Sequence, residues 1–127
     1  MKPVKEVQLD PAVSCSQNLS VVNVKKLMKD KKLRHILVVD SKNFPTGIIS
    51  TVDICNRVVA EGRDPNTTTA KDIMTSPILV KNSEDDLGEL YRIMMEQNLY
   101  SIPIVEAGKI KGVLTFNSAL KQLTKGE

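Results

Sequence analysis

Apolar and polar positions run through the same succession of patterns twice. The first pass opens with an extended lead-in, residues 3–11, and a short strand at Ala12-Val13-Ser14-Cys15. Ser16, Gln17, Asn18 and Ser20 are N-cap candidates for a helix whose apolar residues, Val21, Val24, Leu27 and Met28, recur at helical spacing. Lys25, Lys29 and Lys32 fall on its other side, where their stems cover apolar surface. Ile36-Leu37-Val38-Val39 is a continuous apolar run with polar flanks, the pattern of a buried strand. The turn-rich segment 41–47 brings the chain back into a strand at Ile48-Ile49. A helix should come next, with Ile54, Cys55, Val58 and Val59 facing inward, ended by Gly62 and Pro65.

Thr67-Thr68-Thr69 reads as a linker, and the second pass repeats the order. Ile78-Leu79-Val80 is the expected strand, and Ser83 with Asp86 the expected capping box. Leu87, Leu90, Tyr91, Met94 and Met95 form the helical stripe. Ile102-Pro103-Ile104-Val105 is the next strand, its proline at a position with no ladder bond to donate. Ala107-Gly108-Lys109 makes the turn, Val113-Leu114 the return strand, and Ala119, Leu120 and Leu123 are expected to face inward on a last helix.

Adding 66 to a residue number in the first pass lands on its counterpart in the second. Lys5-Glu6-Val7 becomes Lys71-Asp72-Ile73, Pro11 becomes Pro77, Met28 becomes Met94, and Val38-Val39-Asp40 becomes Ile104-Val105-Glu106. After one deletion in the turn the offset is 65, and Gly47 becomes Gly112. The chain is a tandem duplication, 1–66 and 67–127, each copy β-α-β-β-α, and the fold class is α/β. Copies this small are marginal alone.

Composition narrows the picture. Of 127 residues 41% are hydrophobic but only 3% aromatic, so the core is aliphatic. The net charge of +3 permits anionic partners without demanding nucleic acid. No apolar run reaches the roughly 20 residues a transmembrane helix needs, and the first residues hold no apolar leader pattern. Cys15 and Cys55 are far apart and outside any C-x-x-C, which suits two small buried thiols in a reducing cytoplasm.

The candidate chemistry lies in Gly47-Ile48-Ile49-Ser50-Thr51-Val52-Asp53. Its echo, Gly112-Val113-Leu114-Thr115-Phe116-Asn117-Ser118, keeps the glycine, the apolar pair and the hydroxyl, but has Ser118 in place of Asp53. Ser50-x-x-Asp53 is a helix capping box, which needs no ligand. The same carboxylate can also accept from two neighbouring hydroxyls, as a ribose offers them. No catalytic constellation is visible. The single histidine, His35, has no partners for a metal, there is no glycine-rich phosphate loop, and neither cysteine has a base nearby in sequence.

Several of these stretches resemble the cystathionine β-synthase (CBS) domain. In the second copy they are Lys71-Asp72-Ile73-Met74-Thr75, Leu99-Tyr100-Ser101-Ile102-Pro103-Ile104-Val105 and Gly112-Val113-Leu114-Thr115. The first copy matches best from Gly47 to Asp53 and at Ile36-Leu37-Val38-Val39-Asp40, with Leu37 for the usual proline, and more loosely at Val7-Gln8-Leu9. The resemblance covers residues 3 to 124 and implies a stand-alone pair, or Bateman module. Such a module packs two copies sheet to sheet with pseudo-twofold symmetry, forms two clefts, and commonly pairs as a homodimer.

The resemblance further implies a regulatory module that binds an adenosine-containing nucleotide, of the AMP, ATP, S-adenosylmethionine or NAD class, and signals to a protein partner, with no enzymatic activity, catalytic cofactor or metal. It assigns the ribose to Asp53 and Ser50, the adenine to Pro11, Ala12, Val13, Lys32 and Leu33, and phosphates to Arg34 and His35. The helix N-terminus behind Ser50 adds a favourable dipole. The second cleft would hold Thr75, Pro77, Ile78, Leu99, Tyr100 and Thr115, and bind more weakly for want of a carboxylate at Ser118. Two other readings stand beside this one. The basic stretch 25–34 suits nucleic acid, though it lacks interleaved aromatics, and empty clefts would leave a structural dimerisation unit. Exposed apolar helix faces at Val58-Val59 and Leu120-Leu123 also argue for a homodimer.

Overall fold

A computed structural model describes residues 2–124. A 3-10 turn at Val4–Glu6 precedes β1 (Ser14–Ser16), α1 (Val21–Asp30), β2 (His35–Val39), β3 (Pro45–Ser50) and α2 (Thr51–Ile54), which runs on as a π turn over Cys55–Val59. Then come α3 (Ala70–Ile73), β4 (Lys81–Asn82), α4 (Leu87–Gln97), β5 (Ser101–Glu106), β6 (Lys109–Thr115) and α5 (Phe116–Thr124). Each copy is thus β-α-β-β-α, with a three-stranded sheet in the order β1-β2-β3 or β4-β5-β6. In both sheets the first pair is parallel and the second antiparallel. The antiparallel register shifts between Val38 and Val39 in one and between Ile104 and Val105 in the other, positions related by the repeat offset.

Packing cuts the chain differently from the repeat. One compact unit is residues 1–12 with 79–127; the other is 13–78. Each copy's lead-in therefore completes the other copy's core. Val4 and Val7 are buried with Leu87, Leu90, Met94, Ile102 and Leu114, whereas Ala70 and Ile73 are buried with Val21, Val24, Met28, Ile36 and Ile49. The backbone fixes the exchange: the Val4 N–H donates to the Asp85 carbonyl and the Leu87 N–H to that of Lys2, both at 2.8 Å. In the other unit the Ala70 N–H donates to the Leu19 carbonyl, also at 2.8 Å.

The glycines at the equivalent positions Gly47 and Gly112 mark where these lead-ins cross a sheet. A Cβ on Gly47 would stand 3.0 Å from the Thr75 carbonyl oxygen, and one on Gly112 3.0 Å from that of Asp10. Ile48 and Thr75 exchange backbone hydrogen bonds of 3.1 and 2.8 Å; Asp10 and Val113 do the same at 2.9 Å each.

Several elements differ from the sequence expectation. The strand placed at Ile78-Leu79-Val80 forms instead at Lys81–Asn82, and the one at Ala12-Val13-Ser14-Cys15 is Ser14–Ser16. The cap of α4 is Asp86, which accepts from the Glu89 N–H; the Ser83 hydroxyl is buried without a hydrogen-bond partner. The segment Thr67-Thr68-Thr69 does more than link, since Thr68 is buried and its carbonyl accepts the Val21 N–H. After Ile54 the π turn carries an extra residue per turn. Val58 is therefore buried while Val59 is 72% exposed, and Cys55 is exposed. Leu120, Leu123 and Met95 also face solvent. Cys15 is buried as expected, and burial pushes its thiol up to about 11.

The exchange makes residues near the N-terminus core residues of the distant copy. Val4→Ala is expected to destabilise the protein by about 1.5–3 kcal/mol in urea unfolding, the scale for a fully buried valine side chain. A change below about 0.5 kcal/mol would mean that the lead-in is not part of that core.

Candidate functional site

The Ser50/Asp53 pair sits where β3 ends and α2 begins. The Ser50 hydroxyl accepts the Asp53 N–H at 3.1 Å, and Asp53 Oδ2 accepts the Ser50 N–H at 2.8 Å. The capping box is therefore formed. An ionised carboxylate has about four lone-pair positions, and this box uses one. Asp53 Oδ1 faces the Thr75 hydroxyl, which donates to it at 3.4 Å, and lies 3.9 Å from Arg57 Nε. The Asp53 side chain retains 16% of its exposure.

The backbone N–H groups at the helix start are largely taken. Asp53 N–H goes to Ser50, and Thr51 N–H donates to the Arg34 carbonyl at 3.2 Å. Anion binding by the helix N-terminus, expected from the sequence, is left with little to offer. Basic side chains lie at the start of the neighbouring strand instead. His35 pairs with Ser50 in the β2–β3 register, and both Arg34 and His35 are exposed. Lys32 is exposed in a left-handed conformation at φ 56°, and Leu33 next to it packs against the core of its unit. Val13 packs against the same core, and its carbonyl accepts the Leu37 N–H at 3.2 Å.

The lead-in exchange regroups the candidate residues. Val13, Lys32, Leu33, Arg34, His35, Ser50 and Asp53 share a unit with Thr75, Pro77 and Ile78, which the sequence reading grouped with the second cleft. Pro11 and Ala12 belong to the other unit, with Leu99, Tyr100 and Thr115. The cause is the strap geometry: Thr75 pairs with Ile48, three residues before Thr51, while Asp10 pairs with Val113.

The second constellation repeats the scaffold without the acid. The Thr115 hydroxyl accepts the Ser118 N–H at 3.1 Å, as Ser50 does for Asp53. The Tyr100 carbonyl accepts the Phe116 N–H, as that of Arg34 does for Thr51. Tyr100 is 78% exposed, and Tyr91 stacks on Phe116 with centroids 5.1 Å apart. Ser118 supplies no carboxylate.

Arg57 was not singled out in the sequence, although its i,i+4 spacing from Asp53 was a readable signal. Its guanidinium nitrogen Nη1 donates to the carbonyls of Ile73 and Met74, both at 2.9 Å. It thereby pins the strap that carries Thr75 to the helix that carries Asp53. Among the described residues no group of three or more His, Cys, Asp and Glu side chains could hold a metal ion, and no helix is long and apolar enough to cross a membrane.

Arg57→Ala is expected to cost about 1–2 kcal/mol, the scale for hydrogen bonds to a charged group reduced for the exposure of the site. Amide exchange at Ile48 and Thr75 should accelerate. Unchanged exchange at these two amides would show that Arg57 does not hold the strap.

A family model described as the CBS domain matches residues 4–60 and 70–125. An uncharacterised protein of Methanopyrus kandleri is 27% identical over 93% of this chain and 61% of its own length. The chain thus spans less than two thirds of that relative. An uncharacterised conserved protein from Pyrococcus horikoshii has a crystal structure with a TM-score of 0.72 at 26% identity, covering 98% of this chain and 93% of that one. The structure of CBSX2 in complex with AMP gives a TM-score of 0.77 at 20% identity over 98% of both chains, a likeness of fold. The two matched segments fall one on each repeat, and the chain belongs to the CBS domain family, with two such domains in tandem.

Proposed function

We propose that the protein is a regulatory module that binds an adenosine-containing nucleotide beside Asp53 and communicates its occupancy to a protein partner. The observation that carries this reading is the carboxylate at the end of β3. Its Oδ1 is not used by the cap and lies against the Thr75 hydroxyl, and Arg34, His35 and Lys32 stand exposed in the same unit. One carboxylate oxygen holds the helix cap while the other accepts from the ribose hydroxyls. In this reading the exposed basic residues meet phosphate groups, and the Thr75 hydroxyl is a second polar contact. The fold shared with CBSX2, whose structure is a complex with AMP, supports the choice of nucleotide class.

The two copies are not equivalent in this reading. Ser118 in place of Asp53 removes the charge-assisted acceptor, so one nucleotide per chain is expected. Isothermal titration with AMP, ATP, S-adenosylmethionine and NAD tests both points. Asp53→Ala should lose about 1.5–3 kcal/mol of binding free energy, roughly tenfold to a hundredfold in affinity, and about 0.5–2 kcal/mol of stability through the lost cap. Asp53→Asn keeps an oxygen for the Ser50 N–H, so stability should hold while affinity falls. Ser118→Asp should create or strengthen a second site. Full affinity in Asp53→Asn, or two equal sites in the parent, would remove the ribose role from Asp53.

A further inference from the structure

The crossing that brings Thr75 to Asp53 has a counterpart with its chemistry reversed. Ile48 on β3 and Thr75 exchange backbone hydrogen bonds of 3.1 and 2.8 Å; Val113 on β6 and Asp10 exchange theirs at 2.9 Å. Ile48 and Val113 are equivalent at the offset of 65, and a Cβ on the glycine before either would stand 3.0 Å from the carbonyl oxygen of the paired strap residue. Asp10 therefore holds the strap position of Thr75. Side chains at the same ladder position leave the sheet on the same side. Thr75 leaves toward the start of α2, where its hydroxyl donates to Asp53. Asp10 accordingly leaves toward the start of α5, where Ser118 stands. One unit has its acid on the helix and its hydroxyl on the strap; the other has the hydroxyl on the helix and the acid on the strap.

Asp10 is exposed, and among the described residues it enters no ion pair. Unlike Asp53 it is not engaged in the helix cap, because the Ser118 N–H is taken by the Thr115 hydroxyl. The surroundings also differ in charge. The exposed bases of the first constellation, Lys32, Arg34 and His35, are matched by Asn98, Tyr100 and Ser101. Lys32 and Asn98 share a left-handed backbone, φ 56° and 58°, so the conformation is kept where the charge is lost. Arg57, beside Asp53, is matched by Gln122. Tyr100 is tied to the start of α5 by its carbonyl, which accepts the Phe116 N–H at 2.8 Å, while its side chain stands exposed. An exposed tyrosine ring is a face on which an aromatic base stacks.

We propose that the unit formed by 1–12 and 79–127 carries a second ligand site, with Asp10 as the acceptor for a pair of neighbouring hydroxyls, Ser118 as a further polar contact and Tyr100 as the stacking face. Its ligand is an uncharged ribonucleoside rather than a nucleotide. A carboxylate accepts from two hydroxyls in charge-assisted bonds. It also repels a phosphate, and neutral residues stand where the first constellation has Lys32, Arg34 and His35 to offset that repulsion. The inference rests on the same premise as the proposed function, that a carboxylate at this place meets a ribose, and separate variants tell the two apart.

Amide NMR titrations of the full chain with adenosine and with AMP test it. Adenosine should shift the Asp10, Tyr100 and Ser118 amides to saturation, and AMP should move them less at the same concentration. Asp10→Asn should weaken the adenosine response at these amides about tenfold or more, the scale of a lost charge-assisted pair. Tyr100→Ala should weaken it as well, and 2′-deoxyadenosine should bind the parent less tightly than adenosine. Asp53→Asn should leave it unchanged. Thermal unfolding checks that each variant is folded; the backbone bonds of Asp10 do not involve its side chain, so Asp10→Asn should melt as the parent does. Adenosine that leaves the three amides unmoved at millimolar concentration overturns the proposal, as does a response that Asp10→Asn leaves intact. Shifts confined to Ser50 and Asp53 overturn it while the reading of Asp53 stands. An Asp10-dependent adenosine response beside AMP binding that Asp53→Asn does not weaken upholds it and removes the ribose role from Asp53. AMP binding at the Asp10 site as tight as that of adenosine would overturn the choice of an uncharged ligand.

Discussion

Everything that defines these two units depends on a chain segment lying across a glycine. At Gly47 the strap from Met74 to Thr75 passes so close that a methyl group would meet the Thr75 carbonyl, and at Gly112 the segment Leu9 to Asp10 does the same. The close approach permits paired backbone hydrogen bonds, which hold a lead-in against the sheet of the opposite copy. Val4 and Val7, or Ala70 and Ile73, then enter that copy's core. A domain of about 60 residues has little apolar area to bury. Borrowing a lead-in from the other repeat adds apolar side chains to each core. It also carries Thr75 to Asp53, so the same crossing that stabilises the unit assembles the candidate site.

Much of this was legible in the sequence because periodicity reports faces. Val21, Val24 and Met28 are buried at their helical spacing, and Ile36, Leu37 and Val38 form the expected buried strand. The offset of 66 residues predicted two copies of one topology, although the strands expected at residues 12–15 and 78–80 form at Ser14–Ser16 and Lys81–Asn82. Periodicity cannot report which copy a segment serves. Residues 3–11 and 69–77 carry the same pattern, so a lead-in completing its own copy satisfies local rules as well as an exchanged one. That is why Thr75 and Pro77 were grouped with Tyr100 rather than with Asp53. The π turn was hidden for a different reason. No glycine or proline marks Cys55–Val59, yet one added residue rotates the rest of the helix by about 100°, turning Val59 outward. At α4 the acid one residue before the helix, Asp86, took the capping role from Ser83, because the helix starts later than the Ser-x-x-Asp spacing suggested.

Asp53 shows why a cap and a binding group need not compete. The box fixes one carboxylate oxygen on the Ser50 N–H, and that bond orients the other. Arg57 and Thr75 stand on the free side, one holding the strap and the other donating a hydroxyl. A side chain whose geometry is already fixed by the helix start loses little conformational freedom when a ligand arrives. The local structure thus orients the second carboxylate oxygen, and the sequence motif is ambiguous because a single carboxylate can hold a cap and still accept elsewhere.

The two repeats share a common scaffold while their chemistry has parted. Thr115 caps Ser118 as Ser50 caps Asp53, and the Tyr100 and Arg34 carbonyls accept from equivalent N–H groups. At the same positions, however, Asp53 is matched by Ser118, Arg34 by Tyr100, and Lys25 and Lys29 by Tyr91 and Met95. The backbone crossing and the caps are kept in both copies. Side chains that point to solvent are free to diverge. A duplicated chain whose halves stay structurally alike but differ in surface side chains is no longer chemically symmetric: the ends of β3 and β6 keep the same caps under different side chains. The asymmetry between Asp53 and Ser118 and that between Lys25 and Lys29 of α1 and Tyr91 and Met95 of α4 are two consequences of that divergence on one shared backbone.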